Sequence, residues 1–115
     1  MNNLVVSGKR KSSVAKATIV EGEGLVLFNK RPISLLSKFH QLEITEPLII
    51  AKEVLGNLNF NISINARGGG VNSQIEAGRL AIARAIVKFS KNEKVKMAFL
   101  AYDRNLLIAD RKSVV

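Results

Sequence analysis

The chain has 115 residues, 47% of them hydrophobic, which suits one domain with its own core and leaves no room for two. Its 18 Lys and Arg against 9 Asp and Glu give a formal charge of +9, so the expected partner is a polyanion whose counterions these side chains displace. With no cysteine and one histidine, a disulfide framework and a thiolate metal site are excluded and a transition-metal centre is not expected.

No apolar run approaches the length of a membrane span, and no membrane partner is expected. Residues 1–8 lack a basic region ahead of a long apolar one, so no signal peptide is expected and the cytoplasm is the expected compartment. Val5-Val6 is a short β-type run closed by Ser7-Gly8, ahead of the basic cluster Lys9, Arg10 and Lys11. Residues 14–20 alternate and are rich in β-branched side chains, which predicts a strand. Glu21-Gly22-Glu23-Gly24 reads as a turn and Leu25-Val26-Leu27-Phe28 as the returning strand of a hairpin. Asn29-Lys30-Arg31-Pro32 ends it, because proline cannot donate to a ladder.

Ile33, Leu36, Phe39 and Leu42 recur in threes and predict a short helix over 33–42. A second helix is expected over 46–55, with Pro47 in its first turn and Gly56 as its stop. Phe60, Ile62 and Ile64 alternate with Asn61, Ser63 and Asn65, the pattern of a half-buried strand. The strongest helix follows over 72–89, apolar around most of its circumference and therefore covered by both the sheet and a neighbour. A short helix over 93–101 and a last strand at Leu106-Leu107-Ile108 complete the chain. The order predicts an α+β fold, a small mixed sheet with helices on one face.

Gly68-Gly69-Gly70 is the most specific local feature. It frees the backbone for positive φ and for close approach to another backbone. Exposed N–H groups and the dipole at the following helix start favour a phosphate. Arg67 stands before the turn and Arg79 about two helical turns beyond it. Two readings stand: an RNA phosphate docks here, or this is a tight strand-to-helix turn with no ligand. A P-loop is not expected, because Val71-Asn72 occupies the place of the Lys-Ser or Lys-Thr that follows its last glycine. Gly22-Glu23-Gly24 is no dinucleotide site either, with Leu27 where the third glycine belongs.

Charge is segregated. Residues 1–20 carry Lys9, Arg10, Lys11 and Lys16 and no acid. Residues 67–91 carry Arg67, Arg79, Arg84, Lys88 and Lys91 against Glu76 alone, while Glu43, Glu46 and Glu53 gather in the first helical region. That pattern predicts a basic RNA face. Arg79 shares the helix face of Ile75 and Ile82, so it must snorkel, pair or reach a ligand. Aromatic residues make up 5% with no tryptophan, and Phe28, Phe60, Phe89 and Phe99 read as core. Recognition of folded RNA by shape, sugar and phosphate fits better than stacking of successive bases. His40 has no cysteine or paired carboxylate beside it in sequence, so neither catalysis nor a cofactor is expected.

The run from Ser7-Gly8-Lys9-Arg10-Lys11-Ser12-Ser13 to Thr18 resembles the opening of the small-subunit ribosomal protein nine family, the universal S-nine family. Gly24 through Asn29-Lys30-Arg31-Pro32 is similar to its next hairpin. Gly68-Gly69-Gly70-Val71-Asn72-Ser73-Gln74, followed by Ala77-Gly78-Arg79-Leu80-Ala81-Ile82-Ala83-Arg84-Ala85, looks like its signature. Ile44-Thr45-Glu46-Pro47-Leu48 and Tyr102-Asp103-Arg104 are closer to archaeal and eukaryotic members than to bacterial ones. The resemblance runs from about residue 4 to residue 113.

It implies a ribosomal S-five domain-two-like fold with a left-handed βαβ crossover. It also implies a structural, non-enzymatic role in the ribosome. The chain would bind ribosomal RNA of the 3′ major domain in the head of the small subunit, near the tRNA peptidyl site and among neighbouring ribosomal proteins. The RNA-binding set it and the charge pattern suggest is Lys9, Arg10, Lys11, Lys16, Arg67, Gly68, Gly69, Gly70, Gln74, Arg79, Arg84, Arg104, Arg111 and Lys112. The family ends in a long basic tail whose tip approaches tRNA. This sequence stops at Arg111-Lys112-Ser113-Val114-Val115, so either the tail is absent or the chain is a fragment; the architectural role is carried over and the tRNA contact is left open. The same fold type resembles that of several phosphotransferases, which makes a small-molecule phosphate enzyme one alternative reading and a free-standing RNA chaperone another.

Overall fold

A computed structural model describes residues 4–102 of the chain. Strands β1 (Leu4–Arg10) and β2 (Ser13–Glu21) form an antiparallel hairpin that turns at Lys11 and Ser12, with Lys11 at φ 55°. Val6, Ala15, Ala17 and Ile19 are buried while Val5, Lys9 and Lys16 are exposed, the period-two alternation of a sheet with one covered face. The sequence reading ended β1 at Ser7-Gly8, but the strand continues to Arg10. Gly8 serves packing here and not a turn. A Cβ at this position would lie 2.5 Å from the Ala77 carbonyl oxygen and 2.7 Å from the Ala81 nitrogen, so a helix backbone rests directly on the strand.

The hairpin expected between residues 14–20 and 25–28 does not form. Strand β3 (Val26–Phe28) is separated from β2 by β5 (Phe60–Arg67), and with β4 (Arg31–Pro32) the sheet order is β1-β2-β5-β3-β4. β5 runs antiparallel to β2 and parallel to β3. The reason lies in Asn61. Its side-chain oxygen accepts the N–H groups of Glu23, Gly24 and Leu25 at 3.0, 3.2 and 2.9 Å, and the Gly22 N–H donates to the Asn59 carbonyl at 3.1 Å. The link that looks like a tight turn is therefore pinned across the start of β5. Asn61→Ala is expected to lower unfolding stability by about 1–3 kcal/mol, because it strips the partner from the Glu23 and Leu25 donors, while the Gly24 N–H keeps the Phe60 carbonyl at 2.9 Å. A urea titration checks this, and an unchanged midpoint would sink the assignment. The two-residue turn Asn29–Lys30, both at positive φ, then pairs β3 with β4, and Pro32 sits on the outer strand where its missing N–H is harmless.

The two helices expected over 33–42 and 46–55 are one. Residues Ile33–Leu35 make a single 3-10 turn, and α1 (Lys38–Leu55) runs unbroken through Pro47. Ser37 caps it, its hydroxyl accepting the His40 N–H at 3.3 Å. Proline removes one intrahelical bond, yet Ile44, Pro47, Leu48 and Ala51 bury a continuous stripe, and that packing outweighs the local break. Gly56 at φ 89° stops the helix as expected.

Helix α2 (Val71–Ser90) lies across β1, β2 and β5, and α1 and α3 (Glu93–Tyr102) pack against it and each other. Ile19, Ile62, Ile64, Ile75, Ile82, Ile86, Val95 and Phe99 are fully buried between these layers. Phe60 and Phe89 meet edge to face at 5.7 Å. Over the described residues the fold is α+β with a five-stranded mixed sheet. The strand expected at Leu106-Leu107-Ile108 lies outside the described residues, as do Arg104, Arg111 and Lys112.

Candidate nucleic-acid interface

Strand register sorts the basic residues onto faces. On the sheet face turned away from α2, Lys9, Val14 and Arg67 stand in one row across β1, β2 and β5. Ser7, Lys16 and Asn65 form the next row, and Val5, Thr18 and Ser63 the one after. Neighbouring strands lie about 4.8 Å apart and successive rows on one face about 7 Å apart. Three cations thus share a patch with no carboxylate in these rows. Lys9, Lys16 and Arg67 are exposed, and none has an ion-pair partner among the described residues. Lys11 stands exposed at the adjoining hairpin tip. A cleft of about 530 Å³ opens beside the patch, lined by Ser12, Val14, Lys16, Asn65, Ala66, Arg67 and Gly68.

The glycine turn borders the same cleft. Gly68 and Gly69 have φ of 84° and 58°, and a Cβ on Gly68 would fall 2.4 Å from the Ser12 carbonyl oxygen. Both properties read from the triple glycine, positive φ and close backbone approach, are present. The Gly68 carbonyl accepts the buried Ser13 hydroxyl at 2.7 Å and the Gln74 side-chain amide at 3.1 Å. Ser13 thereby holds the turn against the β1–β2 hairpin, and Gln74 ties it to the first turns of α2. Gly70 caps α2 with no side-chain hydrogen bond, and no acid occupies the first turn. The positive end of the helix dipole therefore meets no carboxylate of its own helix.

The family model for ribosomal protein S9/S16 matches residues 8–115. This chain belongs to the S9 family of small-subunit ribosomal proteins. It is similar to the small ribosomal subunit protein uS9 of Methanococcus vannielii, 39% identical over 106 residues that cover 91% of this chain and 78% of the relative. The uS9 protein of Methanococcus maripaludis strain C7 is 41% identical over the same shares. Both relatives are archaeal, in line with the archaeal-like motifs at residues 44–48 and 102–104.

Within this S9 member, the described candidate arginines Arg10, Arg79 and Arg84 lie apart from the three-cation patch. Arg10 follows Lys9 in the strand, so it projects to the opposite face, where its Nε donates to Glu76 of α2 at 2.9 Å. Arg79 donates to Glu46 of α1 between the two helices, the pairing among the three fates its apolar helix face allowed. Arg84 reaches over β1 and donates to the Ser7 carbonyl at 3.2 Å. The four residues of the cleft that sequence reasoning passed over are Ser12, Val14, Asn65 and Ala66. Asn65 had a signal, as one of the polar alternates of β5, but its pairing with Lys16 depends on the strand order.

Pairing has a measurable consequence. Arg10 is partly neutralised by Glu76, whereas Lys16 is not. Lys16→Ala is expected to flatten the slope of log affinity against log salt by about 0.9, one phosphate's worth. Arg10→Ala is expected to flatten it by clearly less. Equal changes in parallel filter-binding series would contradict the ranking.

Proposed function

We propose that this chain is a structural constituent of the small ribosomal subunit. It binds ribosomal RNA of the subunit head, the 3′ major domain, near the tRNA peptidyl site. The single observation that carries the reading is the row-wise placement of Lys9, Lys16 and Arg67 on one sheet face, uncovered among the described residues, beside the glycine turn. The chain's acidic helix residues Glu43, Glu46 and Glu53 lie on α1, in the helical layer. Phosphates dock on these cations and on the N–H groups at the start of α2, which sets affinity and makes it steeply salt-dependent. Specificity comes from the match between a rigid protein surface and folded RNA.

In this reading residues 1–115 act as one RNA-binding domain of the S-five domain-two-like type. The β3–α1–β5 connection is the left-handed crossover. The protein is not an enzyme, works in cytoplasmic ribosomes and touches neighbouring proteins of the head. Arg104, Arg111 and Lys112 extend the RNA contacts, and tRNA contact is not part of the proposal. The test is binding to the 3′ major domain of its own small-subunit ribosomal RNA against an unrelated folded RNA of equal length. A preference that survives moderate salt supports a defined site. Equal affinity for both, collapsing with salt, would leave an RNA chaperone as the better reading.

A further inference from the structure

The cleft beside Lys16 and Arg67 has a shape and chemistry that phosphate contact alone does not use. Its volume of about 530 Å³ falls in the range of roughly 300–1,000 Å³ typical of small-ligand sites. Val14 and Arg67 oppose each other across β2 and β5, and Lys16 and Asn65 oppose each other one row on. The first pair offers a methyl surface beside a planar guanidinium, which stacks on bases as an aromatic ring does. The second offers an ammonium beside a carboxamide. Among the described residues the Asn65 amide makes no hydrogen bond, so both its donor and its acceptor remain available in the cleft. Among the described residues no carboxylate lines the walls.

We infer that this cleft takes a single unpaired nucleotide of the bound RNA, its base against Val14 and Arg67, its edge on Asn65 and its phosphate on Lys16. The inference rests on the RNA-binding reading above and narrows it. A regular duplex presents phosphates and sugars to a surface but keeps its bases stacked inside. It would engage Lys9, Lys16 and Arg67 and leave the cleft unfilled. A bulged or looped nucleotide fills it, because its base is already outside the stack. The carboxamide matches adenine, which offers an amino donor beside a ring-nitrogen acceptor. The scarcity of aromatic residues fits one such pocket and not a platform for successive bases.

The experiment uses two RNA hairpins of the same stem sequence, one fully paired and one carrying a single bulged adenosine. Affinities are measured for the whole chain and for Asn65→Ala. The bulged hairpin is expected to bind about tenfold tighter, and Asn65→Ala to remove that advantage while leaving the paired hairpin's affinity unchanged. Asn65 is exposed and its side chain makes no hydrogen bond among the described residues, so the variant keeps its fold, which circular dichroism verifies. Equal binding of both hairpins by the unaltered chain, or a preference that persists in Asn65→Ala, overturns the nucleotide pocket and leaves the RNA-binding reading standing. Failure of the unaltered chain to bind either hairpin at low salt overturns both.

Discussion

Replacing Lys9, Lys16 and Arg67 together by glutamine should flatten the salt dependence of RNA binding by about 0.9 per side chain on a log–log plot. The three residues stand in adjacent rows of one sheet face, have no ion-pair partner among the described residues and project to solvent. Each is therefore available to displace one counterion from a phosphate. Surface substitutions of this kind change folding stability by only about 0.5 kcal/mol or less, so the fold survives to be measured. The matching control replaces Lys38, Lys52 and Lys94, three exposed lysines of the helical layer, with the same change in net charge. That variant should keep nearly the full slope. If the two triple variants behave alike, binding is a property of total charge and not of the sheet face.

Gly8→Ala should destabilise the protein by about 3 kcal/mol although it adds one methyl group. The added carbon would sit 2.5 Å from the Ala77 carbonyl oxygen and 2.7 Å from the Ala81 nitrogen. Both are backbone atoms of α2, so no side chain can rotate away. Either β1 lifts from the helix or α2 shifts along the sheet, and each disturbs the buried contacts of Val6, Ala15 and Ala81. Against a typical total of about 5–15 kcal/mol, that loss is large. Urea unfolding reports it directly. A midpoint within error of the unaltered protein would mean that strand and helix are not in backbone contact.

These two predictions also mark where sequence reasoning succeeds and where it stops. Periodicity revealed β2, β5, α2 and α3, because each buries one face and its apolar spacing repeats locally. Gly56 was legible as a stop because the left-handed cap is a property of one residue. Gly8 was not legible. It looks like a turn glycine, and only the position of α2 shows that it is a contact glycine. The strand order was hidden for the same reason. Gly22 and Gly24 signal a tight hairpin, but the three hydrogen bonds to Asn61 come from a residue 36–38 positions away. Pro47 reads as a helix start, and its burial inside a continuous α1 is a tertiary effect.

For the candidate site, composition and charge segregation pointed to Lys9, Arg10, Lys11, Lys16 and Arg67 together. Sorting them needed the strand boundary. Once β1 runs to Arg10, the period of two sends Lys9 and Arg10 to opposite faces, and Arg10 meets Glu76. Arg79 announced that it needed a partner, but the partner, Glu46, became identifiable only when α1 took its place beside α2.

The most direct test of the sheet-face account is lysine footprinting of the protein bound to the 3′ major domain of its small-subunit ribosomal RNA. An amine-reactive reagent and mass spectrometry report which lysines the RNA covers. The account predicts that Lys9, Lys11 and Lys16 lose reactivity while Lys38, Lys52 and Lys94 keep it. Protection of the helical-layer lysines, with Lys9 and Lys16 as reactive as in the unbound protein, would contradict it.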